Sequence, residues 1–214
     1  MSDAARTVQG AIQVVVVFVV PLLIYFSRRN VSPARTVLYV LLVYAIWFVS
    51  YSPTHEGAHL VAGLLAGLEV KSFQLLPPFW KGDFVHGYIR WHEGGARDAF
   101  VVSTAAAYVF DGALLLVWAA VARLWREPGP FAGALILALT CLRCVYDVSN
   151  NYAADTVLGG QGDVRFFLGN LDPRAVHAGA WILMIAGVWA AIRHIQRTSE
   201  PERGAAARAI AGRT

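Results

Sequence analysis

Residues 55–59 read His-Glu-Gly-Ala-His, a His-Glu-x-x-His pattern. On a helix, positions i and i+4 share a face, so the imidazoles of His55 and His59 can bind one metal ion. Glu56 follows the first histidine and can lie near a water on that ion. Zinc brings such a water to a pKa of about 7, and Glu56 can accept its proton. The chain holds six histidines and six glutamates among 214 residues. Composition alone would produce the pattern in roughly one such chain in 200. The setting narrows the reading, because the motif opens an apolar run from His59 to Leu68. Ionisable groups at membrane depth are costly and by default mark function. The bland alternative is a pair of histidines solvated at a helix end.

A zinc site needs a third protein ligand and an open position for water. His86 and His92 fall in or beside a hairpin-like stretch, and His177 and His194 bound the last apolar segment. The carboxylates of the 147–163 stretch are better placed, because the chain returns there beside the membrane. Asp147, Asp155 and Asp163 are the candidates. Two imidazoles and a carboxylate favour zinc over other divalent ions. Asp111 interrupts the run Tyr-Val-Phe-Asp-Gly-Ala-Leu-Leu-Leu and must face the bundle interior or a wet cavity. It can hydrogen-bond a metal-ligating histidine, pair with Arg143, or join two helices. Cys141 and Cys144 lie in an apolar run without a second pair, so they read as small buried hydrophobes.

Long apolar elements must position these groups. The chain is 57% hydrophobic and only 15% charged, and its charges cluster between apolar runs. That is the imprint of a bilayer. Five zones stand out: Val8 to Phe26, Thr36 to Leu68, Ala99 to Trp125, Phe131 to Val148 and Val176 to Ile195. Val8 to Phe26 is too long for a signal peptide's apolar core and ends at Ser27-Arg28-Arg29, so it is expected to remain as a helix. Thr36 to Leu68 exceeds one hydrocarbon thickness. Pro53 is expected to split it into Thr36–Tyr51 and Thr54–Leu68, with Thr54 as a cap. Arginines at 28–35, at 123–126 and in the tail would instead share one side if the zone were a single bent crossing. The expected fold is therefore an all-α polytopic membrane protein of five or six transmembrane segments. Val70–Leu76 and Phe84–Trp91 surround Pro, Gly and Asp residues and predict an interfacial β-hairpin. The basic residues flank apolar segments, so the net charge of +4 does not indicate nucleic acid.

In its order of features over residues 36–170, the chain resembles the site-2 protease family of intramembrane metalloproteases. That family places His-Glu-x-x-His in a membrane helix, follows it with a hairpin or re-entrant stretch, and draws a third ligand from Asn-x-x-Pro-x-x-Pro-Leu-Asp-Gly. Asp155 to Asp163 keeps the eight-residue separation, so the resemblance implies Asp163 as ligand and Asp155 in the asparagine's place. Both prolines are absent and Val164 follows Asp163. Ala106 to Asp111 echoes the family's Ala-Gly-Pro-x-x-Asn helix. The resemblance implies one metalloprotease-like transmembrane domain over 1–198, with a basic tail over 199–214. It further implies a zinc-dependent intramembrane endopeptidase with Glu56 as catalytic base and His55, His59 and Asp163 as ligands. Its partners would be the bilayer and a transmembrane protein substrate, which the hairpin edge could pair with as an added strand. The alternative is a non-catalytic membrane scaffold of the same fold. Arginine greatly outnumbers lysine, as in GC-rich bacterial genomes, which points to a bacterial cytoplasmic membrane.

Overall fold

The computed structural model describes residues 3–76, 87–125 and 127–197. Among these, five helices are long and apolar enough to cross a membrane: Val8–Arg28, Pro33–Leu65, Arg97–Leu124, Pro130–Thr156 and Pro173–Arg197. The first crossing consists of α1 (Asp3–Val14), a π-helical stretch (Val15–Val19) and α2 (Val20–Arg28). Pro21 lies just after the π turn, where the α-helical ladder loses a donor. The second crossing is α3 (Pro33–Leu65) and the third is α4 (Arg97–Leu124). The fourth joins α5 (Pro130–Ile136), a π stretch (Leu137–Leu142) and α6 (Arg143–Thr156). A short α7 (Asp163–Asn170) precedes the last crossing, α8 (Pro173–Arg197).

The expected break at Pro53 does not occur, and Thr54 is not an N-cap. Pro53 lies inside one 33-residue helix. Hydroxyls on either side of the proline bond nearby carbonyls. The Thr54 hydroxyl turns back onto the carbonyls of Ser50 (2.7 Å) and Tyr51 (3.0 Å). The Ser52 hydroxyl donates to the Leu75 carbonyl at 2.8 Å. Membrane helices tolerate an internal proline where the surrounding bundle holds the helix together. The polar stretch from Asp147 likewise begins as helix, because α6 continues to Thr156.

The fourth crossing is the axis of the bundle. Its most apolar window is 61% buried, against 17–22% for the other four, whose large apolar side chains face outward. An outward apolar surface is what lipid requires. Trp47 of α3 contacts Phe18 (ring centroids 4.1 Å apart) and Tyr146 of α6 (4.9 Å). This aromatic column joins three crossings and continues through Tyr51 towards the candidate site. Cys141 and Cys144 are free and buried on the same axis.

The hairpin forms from β1 (Val70–Gln74) and β2 (Tyr88–Trp91), antiparallel, with Val70 opposite Trp91 and Gln74 opposite Tyr88. It lies on α3. Gly63 makes room for it, since a Cβ there would come within 2.4 Å of the Trp91 ring. The 77–86 part of the hairpin, with Pro77, Pro78 and His86, lies outside the described residues, as do Arg126 and the 199–214 tail.

Candidate metal centre

His55 and His59 project from one face of α3, as i and i+4 positions must, and their Nε2 atoms are 3.1 Å apart. Asp163, the first residue of α7, brings Oδ2 to 3.3 Å from His59 Nε2 and 3.6 Å from His55 Nε2. Donors held about 2.0–2.1 Å from one tetrahedral ion would lie about 3.3 Å from each other. The three separations bracket that value, so His55, His59 and Asp163 could hold one metal ion.

The opposite ring nitrogens are both engaged. His59 Nδ1 lies 2.8 Å from the Ser103 carbonyl of α4. A carbonyl only accepts, so His59 carries its proton on Nδ1 and leaves the Nε2 lone pair bare. The Ser103 hydroxyl donates in return to the His59 carbonyl at 3.0 Å, clamping α4 to α3. His55 Nδ1 lies 2.8 Å from Asp147 Oδ2, which favours the same tautomer. The other Asp147 oxygen accepts from the Tyr51 hydroxyl (2.5 Å) and the Asn151 amide (2.9 Å). Two bare imidazole nitrogens and a carboxylate oxygen therefore converge. A shared proton relieves one pair of them, whereas a cation satisfies all three. Carboxylate and carbonyl acceptors behind metal-ligating histidines are the usual means of orienting them.

Asp163 is delivered by the preceding turn. Asp155 accepts the amides of Gly162 (2.9 Å) and Arg165 (3.1 Å). The chain bends round that carboxylate through Gly159, whose φ of +70° suits glycine. A Cβ at Gly160 would come within 2.5 Å of Asp155 Oδ1. Burial would raise the Asp163 carboxyl, but without a cation, protons taken up on His55 and His59 Nε2 supply hydrogen bonds and charge that outweigh it and hold it well below the usual carboxylate range. Its side chain remains 27% exposed, which leaves one side of the cluster open.

The three carboxylates weighed from the sequence thus have different places. Asp163 joins the histidines, Asp147 stands behind His55, and Asp155 ties the turn. Asp111 touches neither histidine ring. Its Oδ1 accepts from Arg143 Nε at 3.0 Å, and Arg143 Nη1 also bonds the Thr54 hydroxyl beside His55. His177 bonds the Tyr152 hydroxyl, His194 lies against Trp118, and the His92 amide pairs with Glu69. Glu56 is half-buried under the start of β2. A Cβ at Gly87 would approach Glu56 Cγ to 2.6 Å and Oε1 to 3.2 Å. Sequence reasoning did not single out Ser103, Tyr51 or Tyr108. Tyr108 of α4 points its hydroxyl at Asp163 Oδ2 (3.4 Å). No local pattern marks these residues, because their partners lie 44, 96 and 55 positions away.

No protein-family model, curated protein or solved structure matches this chain. Any functional reading therefore stands on the site itself.

Proposed function

We propose that this protein is a zinc-dependent intramembrane endopeptidase, a divergent member of the site-2 protease family, cleaving within or beside a transmembrane segment. The observation that carries the reading is the convergence of His55, His59 and Asp163 with both Nδ1 atoms tied back and Glu56 next in sequence to a ligand. Two imidazoles, one carboxylate and an open side form the donor set of a catalytic zinc site. When bound, the ion would supply Lewis acidity towards water and the scissile carbonyl. Glu56 takes a proton from the attacking water and returns it to the leaving amine, as base and then acid. Gly87, without a side chain, leaves the Glu56 carboxyl room under the hairpin. Tyr108 and Asp147 keep the ligands aimed while substrate binds.

Metal analysis of the protein purified in detergent tests the site. About one zinc per chain is expected, lost in His55→Ala and in Asp163→Ala. Glu56→Gln tests the chemistry, keeping the zinc and abolishing cleavage of reconstituted single-span peptides. Native protein that folds without metal, or a Glu56→Gln variant that still cleaves, would return the chain to the scaffold reading.

A further inference from the structure

A cleft of about 430 Å³ lies between α4, α6, α7 and α8, and Tyr108 is one of its walls. Ala105, Tyr108 and Gly112 line it from α4, Val164 and Phe167 from α7, and Gly179 from α8. Apart from the Tyr108 hydroxyl its walls are apolar. Two of them belong to the metal site as well. Tyr108 reaches Asp163, and Val164 is the residue after it. Tyr108 also packs edge-on against His55 (6.4 Å between centroids) and Phe167 (5.9 Å). The rim is open, with Val109 68% and Leu171 44% exposed on the face that lipid would cover. An occupant can therefore come from the bilayer and end beside the candidate ligands.

We propose that this cleft is the subsite for one large apolar side chain of a membrane-embedded substrate segment, beside the bond presented to His55, His59 and Asp163. The inference rests on the endopeptidase reading, and it adds a substrate preference to it. A polar side chain there would lose its hydrogen bonds to water, because the walls are almost wholly apolar. A small one would leave the cavity unfilled, and a hydrophobic pocket discriminates by roughly tenfold or more per methylene. The cleft can also be filled by substitution without a clash at the backbone. A Cβ at Gly179 meets nothing within 4 Å, and one at Gly112 meets only Leu183 Cδ2 at 3.7 Å.

The test uses the full-length protein in lipid nanodiscs with single-span peptides that differ at one position, scanned along the segment. Native protein should cleave leucine or phenylalanine peptides at least about tenfold faster than the alanine peptide at one position. Gly112→Leu and Gly179→Leu should retain zinc and bring that ratio close to one. Equal cleavage of all peptides, or an unchanged ratio in both zinc-loaded variants, overturns the proposal. A second readout does not depend on cleavage. In Glu56→Gln protein, a peptide carrying p-benzoylphenylalanine at the varied position should photocrosslink to Val109, Val176 or Leu183. Crosslinking there without cleavage by native protein keeps the subsite and removes the protease reading. Cleavage with crosslinks elsewhere removes the subsite alone. Cleft labelling by a photoactivatable lipid tail that the peptide does not displace would make it a lipid site and overturn the proposal.

Discussion

Asp147 carries more of the candidate centre than its distance from the metal position indicates. It is fully buried, and its two oxygens take three hydrogen bonds, from His55, Tyr51 and Asn151. Asn in its place keeps the shape but presents either a weaker acceptor or an amide donor to His55 Nδ1. Asp147→Asn is therefore expected to weaken zinc affinity about 10–100-fold, the usual effect of losing such a partner. Competition with a chelator of known affinity measures this, and unchanged affinity would remove Asp147 from the positioning role. The Asp111–Arg143 pair lies beside it, with the Asp111 carboxyl against Asp147. It is buried in the bundle, yet Asp111 Oδ2 and Arg143 Nη2 have no hydrogen-bond partner among the described residues. Removing one partner leaves a buried charge and is expected to cost about 3–5 kcal/mol, whereas an apolar pair can be neutral. Thermal unfolding in detergent should thus show Arg143→Leu strongly destabilised and the Asp111→Leu/Arg143→Leu double variant largely restored.

At the scale of elements, the hairpin is where the proposed endopeptidase would present an edge to its substrate. β1 pairs with β2 on one side, and the described residues place no strand on its other side. An unpaired edge offers N–H and C=O groups to an extended peptide. N–H groups alternate sides along β1, so replacing both Phe73 and Gln74 by proline covers the open edge whichever of the two faces it. Cleavage should fall at least about tenfold with zinc content unchanged. Full activity would show that substrate does not pair there. The 155–163 turn does a different job. It needs no proline, because Asp155 accepts two amides and glycines at 159, 160 and 162 let the chain pass close to that carboxylate.

For the whole molecule, five crossings place the connections around Arg28, Arg29 and Arg35 and around Arg123 at the same end as Arg197. The hairpin and the 157–172 connection lie at the other end. His55 is about 33 Å along α3 from Pro33 and about 15 Å from its far end, so the centre lies nearer the hairpin end. Lys71, Arg90, Arg97, Arg165 and Arg174 lie at the hairpin end, so the bias is modest, and the positive-inside rule would place the more arginine-rich end in the cytoplasm. A cysteine at His92 should then react with an impermeant maleimide in intact cells, and one at Arg35 should not. The two native thiols are buried and stay silent. The reverse labelling would turn the centre towards the cytoplasm.

The sequence by itself determined the membrane class, the hairpin and the pairing of His55 with His59. Each of these follows from composition or from spacing within one element, and such local signals survive without a fold. It also located the carboxylate stretch. Residue types and spacing left Asp147, Asp155 and Asp163 open, and only the family resemblance implied Asp163, because their roles depend on which direction α6 and the turn before α7 face. The split expected at Pro53 failed for a related reason. A proline's local cost is about 3 kcal/mol, and the packing of α3 against α4 and the fourth crossing holds the helix through it. Only the tertiary structure decided that Ser103, Asp147 and Tyr108 surround the histidines and that Tyr108 also lines an apolar cleft. Those contacts join helices far apart in the chain, and packing around the buried fourth crossing is what brings them together.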